Sequence, residues 1–222
     1  MARKTKCKNP KKLIYVFCEG QSEIQYINYM KDIFNNVSVL RPELGLIHDA
    51  TAKFKNDSDH KNALSEIDEI WFFFDVEDYD RHANWSNWMR IIKSFNNSNK
   101  AKRIKIRLLL TTACIEYWFL LHYKKTNAPI QTKPDKIHVE NELINFCEHY
   151  KKADKDSIYE IASNYKTAIK NGEWTLKHIE KIHPIPNTST LERDTWLFMC
   201  DYTFTTVHEA ISYLENLSKN SI

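Results

Sequence analysis

Short apolar runs alternate with amphipathic stretches over residues 11–123, and this alternation limits the fold more than any other feature of the chain. The runs at 11–20, 69–75 and 103–111 are rich in β-branched and aromatic residues, which is typical of strands. Each run is followed by a stretch with apolar residues at helical spacing. Strands that alternate with helices predict a mostly parallel sheet flanked by helices, which is an α/β fold.

Two further segments bear on the organisation of the chain. The run VSVL (37–40) is compatible with a strand, whereas the polar residues 52–62 predict a loop. After a Pro- and Lys-bearing connection, the pattern changes to a series of amphipathic helices. We therefore predict a basic N-terminal arm at 1–12, an α/β core at 13–125 and a mainly helical C-terminal part at 126–222 that packs on the core.

Composition excludes several classes of protein. Hydrophobic residues make up 42% of the chain, which supports a packed core, and only three glycines are present, which excludes the common Gly-rich nucleotide loops. No apolar run approaches the roughly 20 residues that a membrane-spanning helix needs. The five cysteines are scattered, no pair has zinc-finger spacing, and no secretory signal is evident. These features predict reduced thiols in a cytoplasmic protein without membrane association.

Basic residues cluster in two places although the formal net charge is only +3. The N-terminal arm holds one cluster, and the segment KAKRIKIR (100–107) holds the other. Basic clusters bind nucleic-acid phosphates, but a solvated tail is the commoner explanation for such an arm. The candidates for phosphate contacts in the second cluster are Lys102, Arg103, Lys105 and Arg107.

The segment WFFFDVEDYD (71–80) ends an apolar strand with four carboxylates in six positions. A single acid would be explained by a turn or a helix cap, whereas four repel one another unless a cation lies among them. A divalent cation and a densely solvated turn are the two interpretations. Asp78 and Asp80 fit the solvated turn or a cap for the next helix.

Glu19 ends the first predicted strand and Asp75 ends the second. Because ligands of open parallel sheets gather beyond the carboxyl ends of the strands, we expect Glu19, Asp75 and Glu77 to converge at one edge. Clustered carboxylates are hard oxygen ligands suited to Mg²⁺ or Mn²⁺. The sequence therefore predicts a metal site formed by Glu19, Asp75 and Glu77.

Three blocks of the chain resemble, in their order and spacing, the signature blocks of RloB-like proteins, namely VFCEGQSEIQYINYM, WFFFDVEDYD and TTACIEYWFLLHY. The final YTFTTVHEAISYL is similar to the terminal block of that family. The resemblance implies a Toprim-like fold, which carries the metal site of topoisomerases, primases and OLD-family nucleases. It also implies a phage-defence context, often beside an ABC-type ATPase.

The resemblance assigns roles residue by residue. Glu19 matches the Toprim glutamate, Asp75 and Glu77 match an Asp-x-Asp pair, and Glu116 and His122 match the third block. Glu77 replaces an aspartate, and Thr203–Thr206 stands where the family usually has Asn-Pro-Ser-Thr. A metal-dependent nuclease is implied, with Glu19, Asp75, Glu77 and Glu116 as catalytic candidates.

The substrate and the partners are less constrained. Structured RNA, tRNA in particular, is narrowly favoured over DNA as the substrate. An ABC-type ATPase is the implied partner, and the chain could also form a homodimer. A degenerate module that binds nucleic acid or a protein without cleavage is the alternative function.

Several residues of these blocks also have a structural interpretation. Glu116 is equally compatible with a site and with a buried pair, since a buried acid needs a partner. His122 is expected to be a core histidine, and the three tryptophans Trp85, Trp88 and Trp118 are expected to be core residues.

Overall fold

A single four-stranded sheet lies at the centre of the protein. The computed structural model describes residues 10–77, 81–97, 104–187 and 190–221. The strands are β1 (Lys12–Cys18), β2 (Ser38–Leu44), β3 (Glu69–Val76) and β4 (Lys105–Thr112). All neighbouring pairs are parallel, in the order β2-β1-β3-β4. The prediction of an α/β fold with a parallel sheet flanked by helices is confirmed.

Within the described residues, ten helices flank this sheet. Those before residue 125 are α1 (Gln21–Ile33), α2 (Ile47–Asn56), α3 (Ser58–Ala63), α4 (Arg81–Asn97) and α5 (Ile115–Leu120). Those after it are α6 (Lys133–Phe146), α7 (Lys155–Ser163), α8 (Tyr165–Glu180), α9 (Thr190–Met199) and α10 (Val207–Lys219). Each described helix is too short or too polar to cross a lipid bilayer.

The two faces of the sheet have separate apolar cores, because successive strand residues point to opposite sides. On one face, Val16 and Trp71 pack with residues of α1, α5, α6, α7, α8 and α10. On the other face, Phe17 and Phe72 pack with residues of α2, α4, α8 and α9. Burial on both faces explains why these strands are almost continuously apolar in the sequence. Helices beyond residue 126 contribute to both cores, while the proposed division at residue 125 stays a prediction.

The segment 52–62 differs from its predicted conformation. Residues 47–56 form α2 and residues 58–63 form α3, so the predicted loop is wrong. Ile47, Ala50 and Phe54 lie on one helical face and are buried against the sheet. Only three apolar residues define this face, and the lysines between them hide its period in the sequence. Helix α9 likewise has no counterpart in the sequence prediction.

The block Thr203–Thr206 precedes α10 and lies along the outer edge of β4, although the sequence pattern groups it with the last helix. Thr205 forms an antiparallel bridge with Thr111. The Thr206 hydroxyl accepts a hydrogen bond from the backbone N–H of Leu110 at 2.8 Å and donates one to the carbonyl of Leu108 at 3.1 Å. Backbone groups that an edge strand would otherwise expose are thereby satisfied.

Candidate metal centre

The carboxyl ends of β1 and β3 bring Glu19 and Asp75 together, as the sequence predicts. The two strands pair in parallel with Phe17 opposite Phe72, so Glu19 leaves β1 beside the end of β3. The backbone N–H of Asp75 donates a hydrogen bond to Oε1 of Glu19 at 3.2 Å. The two acids that the sequence places at one edge of the sheet are therefore direct neighbours.

Glu23, in the first turn of α1, is a third acid at this edge. Its residue is only 4% exposed. Gly20, at the N-cap of α1, leaves space for the Glu23 carboxylate, because a Cβ at Gly20 would lie 3.0 Å from Oε2 of Glu23. The turn after β1 is thus shaped to hold a second carboxylate one helical turn beyond Glu19.

Glu116, in the first turn of α5, is a fourth acid and reaches the edge through a strained turn. The chain leaves β4 through Ala113, which has a φ of 68° and donates its N–H to the carbonyl of Val76 at 3.0 Å. A left-handed backbone at a non-glycine residue is energetically unfavourable and is frequently found beside functional sites. This turn starts α5 next to β3, and Glu116 is buried there at 4% exposure.

These acids raise one another's pKa values. Burial, followed by the charges of Glu19, Glu23, Glu116 and Glu77, raises the pKa of Asp75 well above its usual range. Burial of the carboxyl group, with the charges of Glu23 and Glu77, raises the pKa of Glu19 to about 7. Burial and the charge of Glu116 raise the pKa of Glu23. The edge therefore concentrates negative charge that a cation would stabilise.

Two lysines from the C-terminal part reach the same edge. Lys136 of α6 forms an ion pair with Glu77. Lys152, between α6 and α7, lies 3.4 Å from Oε1 of Glu116, and the hydroxyl of Tyr150 donates a hydrogen bond to the same oxygen at 3.0 Å. Glu116 thus has the partners that a buried acid requires.

The donor chemistry of this edge fits a hard divalent cation, while the positions of the carboxylates require some adjustment. Within the part of the chain that the structure describes, no three of these acids have oxygen atoms all within 4.8 Å of one another. Glu77 is half-exposed and would have to leave Lys136 to become a ligand. Like charges repel one another when no cation lies among them, which favours this separation in the metal-free protein.

Two of the predicted basic residues, Lys105 and Arg107, lie away from the acids. They belong to the amino-terminal half of β4, and Thr112 comes five positions after Arg107, which corresponds to roughly 16 Å along a strand. The Arg107 guanidinium binds both oxygens of Glu69, at 2.5 and 3.2 Å, and stacks on the Tyr213 ring. In this structure the Arg107 side chain is engaged by Glu69 and Tyr213, and its contact with phosphate stays a prediction.

Four other sequence candidates lie outside the described residues, namely Lys102, Arg103, Asp78 and Asp80.

His122 is a core histidine, as expected. Its Nδ1 lies 2.9 Å from the Trp118 carbonyl and its Nε2 lies 3.3 Å from the Tyr26 hydroxyl. Burial lowers the pKa of His122 to about 3, so the ring is neutral at physiological pH. Trp85 and Trp118 are buried and Trp88 is partly buried, which confirms their assignment to the core.

The sequence patterns do not indicate three residues of this edge, Lys136, Tyr150 and Lys152. Glu23 belongs to the block VFCEGQSEIQYINYM, but the sequence pattern assigns it no role. The three missed residues lie in helical or connecting segments whose patterns carry no sign of a site. Glu23 carried a signal, because it shares the block VFCEGQSE with Glu19.

Comparison with protein families identifies the chain. The model of the RloB-like protein family matches residues 14–214, so the chain belongs to the RloB-like family. Searches of curated proteins and of solved structures gave no significant match. The matched range contains the whole acidic edge and both lysines.

Proposed function

We propose that this protein is a Mg²⁺- or Mn²⁺-dependent nuclease that hydrolyses phosphodiester bonds. The observation that carries the proposal is the convergence of Glu19, Asp75, Glu23 and Glu116 at one edge of a parallel sheet, where burial and neighbouring carboxylates raise the pKa values of Glu19, Glu23 and Asp75. Acids clustered without a matching number of cations destabilise a fold, and a bound divalent ion is the compensation that their oxygen donors suit.

Each side chain has a part in the proposed reaction. Asp75 and Glu77 would hold the ion, with Glu19 beside them. Glu19, which lies beside Asp75 at the end of β1, would accept a proton from the attacking water. When bound, Mg²⁺ neutralises charge on the phosphate and makes water a better nucleophile. Glu116 lies near Asp75, and the hydrogen bond from the Tyr150 hydroxyl orients its carboxylate.

Lys136 and Lys152 supply the positive charge that a phosphate needs at this edge. Both lie against acids of the site in the ligand-free protein, and a bound phosphate competes for them. Lys105 would contact the nucleic-acid backbone further from the cleaved bond, and Lys102 and Arg103 stay candidates for phosphate contacts. A structured RNA or a DNA duplex is long enough to reach both regions.

The proposed biological role rests on the resemblance to the family rather than on the geometry. RloB-like proteins imply an effector of a bacterial anti-phage system with a Toprim-like metal site, acting in the cytoplasm and restrained or activated by an ABC-type ATPase. RNA, with tRNA narrowly preferred, is the proposed substrate ahead of DNA.

One contact favours a second candidate function. Glu77, which replaces the second aspartate of the metal-binding pair, is engaged by Lys136. A permanent ion pair there would leave a Toprim-like module that binds nucleic acid or a partner without cutting.

Cleavage of nucleic acid by the purified protein tests the proposal. The protein, alone and with the neighbouring ATPase, is incubated with total tRNA or plasmid DNA in Mg²⁺, Mn²⁺ or EDTA. We expect metal-dependent cleavage that Asp75→Asn abolishes and that Glu66→Gln, at an exposed position on the α3–β3 connection, leaves intact. Binding without cleavage under all conditions would support the degenerate module instead.

A further inference from the structure

A second cluster of metal-ligating side chains lies at the junction of α6 and α7, apart from the acidic edge. Cys147, His149 and Glu160 each offer one ligand atom, and the three atoms lie within 4.8 Å of one another. The Cys147 sulfur is 4.0 Å from Nε2 of His149, and that nitrogen is 3.4 Å from Oε2 of Glu160. Among the described residues, this is the one set of three that meets such a distance limit.

We propose that Cys147, His149 and Glu160 bind a zinc ion. Zinc in proteins takes thiolate, imidazole and carboxylate ligands in a tetrahedron, whose bond lengths of about 2.0–2.3 Å place the ligand atoms roughly 3.3–3.7 Å apart. The imidazole and the carboxylate already have this separation, and the sulfur lies 4.0 Å from the imidazole nitrogen, a few tenths of an ångström beyond it. A thiolate with an imidazole favours zinc over Mg²⁺, which prefers oxygen ligands alone.

The backbone fixes two of the three ligands before any ion binds. Cys147 caps the end of α6, where its N–H donates to the Leu143 carbonyl at 2.9 Å, and its side chain is buried. Glu160 lies on α7, whose first turn is capped by Asp154. His149 lies between the two helices and is exposed, with 57% of its side chain accessible. An ion can therefore enter from the solvent side, and water can fill the fourth position.

The zinc site would fasten the connection that reaches the acidic edge. Between Cys147 and Glu160 lie Tyr150 and Lys152, the two residues that contact Glu116. The same connection is joined to α1 through Ala153, whose N–H donates to the Ser22 hydroxyl at 3.0 Å. Zinc would thus hold Tyr150 and Lys152 in place without touching the Glu19 and Asp75 pair.

Cobalt spectroscopy tests the site independently of nuclease activity. The Asp75→Asn protein, which removes the acidic edge as a competing site, is titrated with Co²⁺ under a non-thiol reductant. We expect a thiolate-to-cobalt charge-transfer band at one equivalent that zinc displaces. The band is lost in Cys147→Ser and retained in Cys200→Ser, a matched cysteine outside the cluster. Absence of the band, or its persistence in Cys147→Ser, would overturn the proposal.

His149→Ala keeps the test valid if Cys147→Ser folds poorly, because His149 is exposed. Loss of a ligand should weaken zinc binding by more than about a hundredfold, since loss of an outer-shell partner alone costs 10–100-fold. Zinc at a hundredfold excess over Kd should raise the Tm of the parent protein by roughly 5–10 °C and leave that of His149→Ala unchanged. Equal shifts in both proteins would count against the site, whatever the outcome of the cleavage assay.

Discussion

Replacement of Glu19 by glutamine should stabilise the metal-free protein at alkaline pH. Burial and neighbouring charges raise the pKa of Glu19 from 4.5 to about 7, so the native protein binds this proton more tightly than the unfolded chain does. The charged carboxylate therefore lowers the free energy of unfolding, and glutamine, which has the same shape, removes the charge. The amide oxygen can still accept the hydrogen bond from the Asp75 N–H.

The size of the effect follows from the pKa difference and from the exposure of the residue. Between 4.5 and about 7, the difference corresponds to at most about 3.4 kcal/mol at pH 8. The Glu19 residue is exposed, so solvent screens the charge, and we expect about 1–2 kcal/mol. Glu19 is protonated in the native protein below pH 7, so the destabilisation that its charge causes grows as the pH rises from 4.5 to 7. At pH 5 the Glu19→Gln variant should therefore gain less than about 0.5 kcal/mol in its free energy of unfolding.

Urea denaturation in EDTA at pH 5 and pH 8 measures this directly. The Glu19→Gln variant should gain about 1–2 kcal/mol at pH 8, or a few degrees in Tm for a chain of this size, with Glu66→Gln as a control that changes little. Saturating Mg²⁺ should reverse the order, because Glu19 is a predicted ligand and the wild-type protein would therefore bind the ion more tightly than the variant. A Glu19→Gln protein that is less stable at pH 8 in EDTA would mean that Glu19 is a structural cap for Asp75, and the reasoning would be refuted.

Three further predictions concern other parts of the chain. Thr206→Val should lower the free energy of unfolding by about 1–3 kcal/mol in urea denaturation, because the Leu110 N–H at the edge of β4 loses its acceptor; an unchanged midpoint would show that water replaces the hydroxyl. Gly172→Ala should lower the free energy of unfolding by about 1–3 kcal/mol, since the new Cβ would lie 2.8 Å from the Cβ of His208. Lys170→Ala, on the exposed face of the same helix, should change the free energy of unfolding by under about 0.5 kcal/mol. Equal effects of the two would exclude a close contact between α8 and α10. Deletion of residues 1–9 should weaken nucleic-acid binding in fluorescence anisotropy and reduce its salt dependence, because the basic arm displaces counterions from phosphates; the same slope in both proteins would exclude a phosphate contact by the arm.

The parallel sheet and the position of its acids could be predicted because each depends on a local pattern. Apolar runs buried on both faces are nearly continuous in the sequence, and the direction of parallel strands then fixes where Glu19 and Asp75 emerge. The sequence pattern does not predict helix α2, because the buried face of this helix consists of only Ile47, Ala50 and Phe54 among polar residues. The block Thr203–Thr206 was hidden because its hydrogen bonds are made with β4, which lies far away in the chain.

The two lysines at the acidic edge reach it through tertiary contacts, so no local sequence pattern indicates them. Lys136 and Lys152 come from α6 and from the connection after it, and nothing in either segment distinguishes them from solvated lysines. Arg107 is the converse case, because its place in a basic cluster suggested a phosphate contact. Its guanidinium instead pairs with Glu69, a residue of the neighbouring strand that the sequence alone does not align with it.

Binding of Mn²⁺ to the purified protein, followed by electron paramagnetic resonance of the free ion, tests most directly whether the acidic edge is a metal centre. The wild-type protein and Glu66→Gln should bind Mn²⁺ with the same affinity, Mg²⁺ should compete, and Asp75→Asn should lose this binding while remaining folded. Undiminished Mn²⁺ binding by Asp75→Asn would contradict a metal centre at the carboxyl ends of β1 and β3.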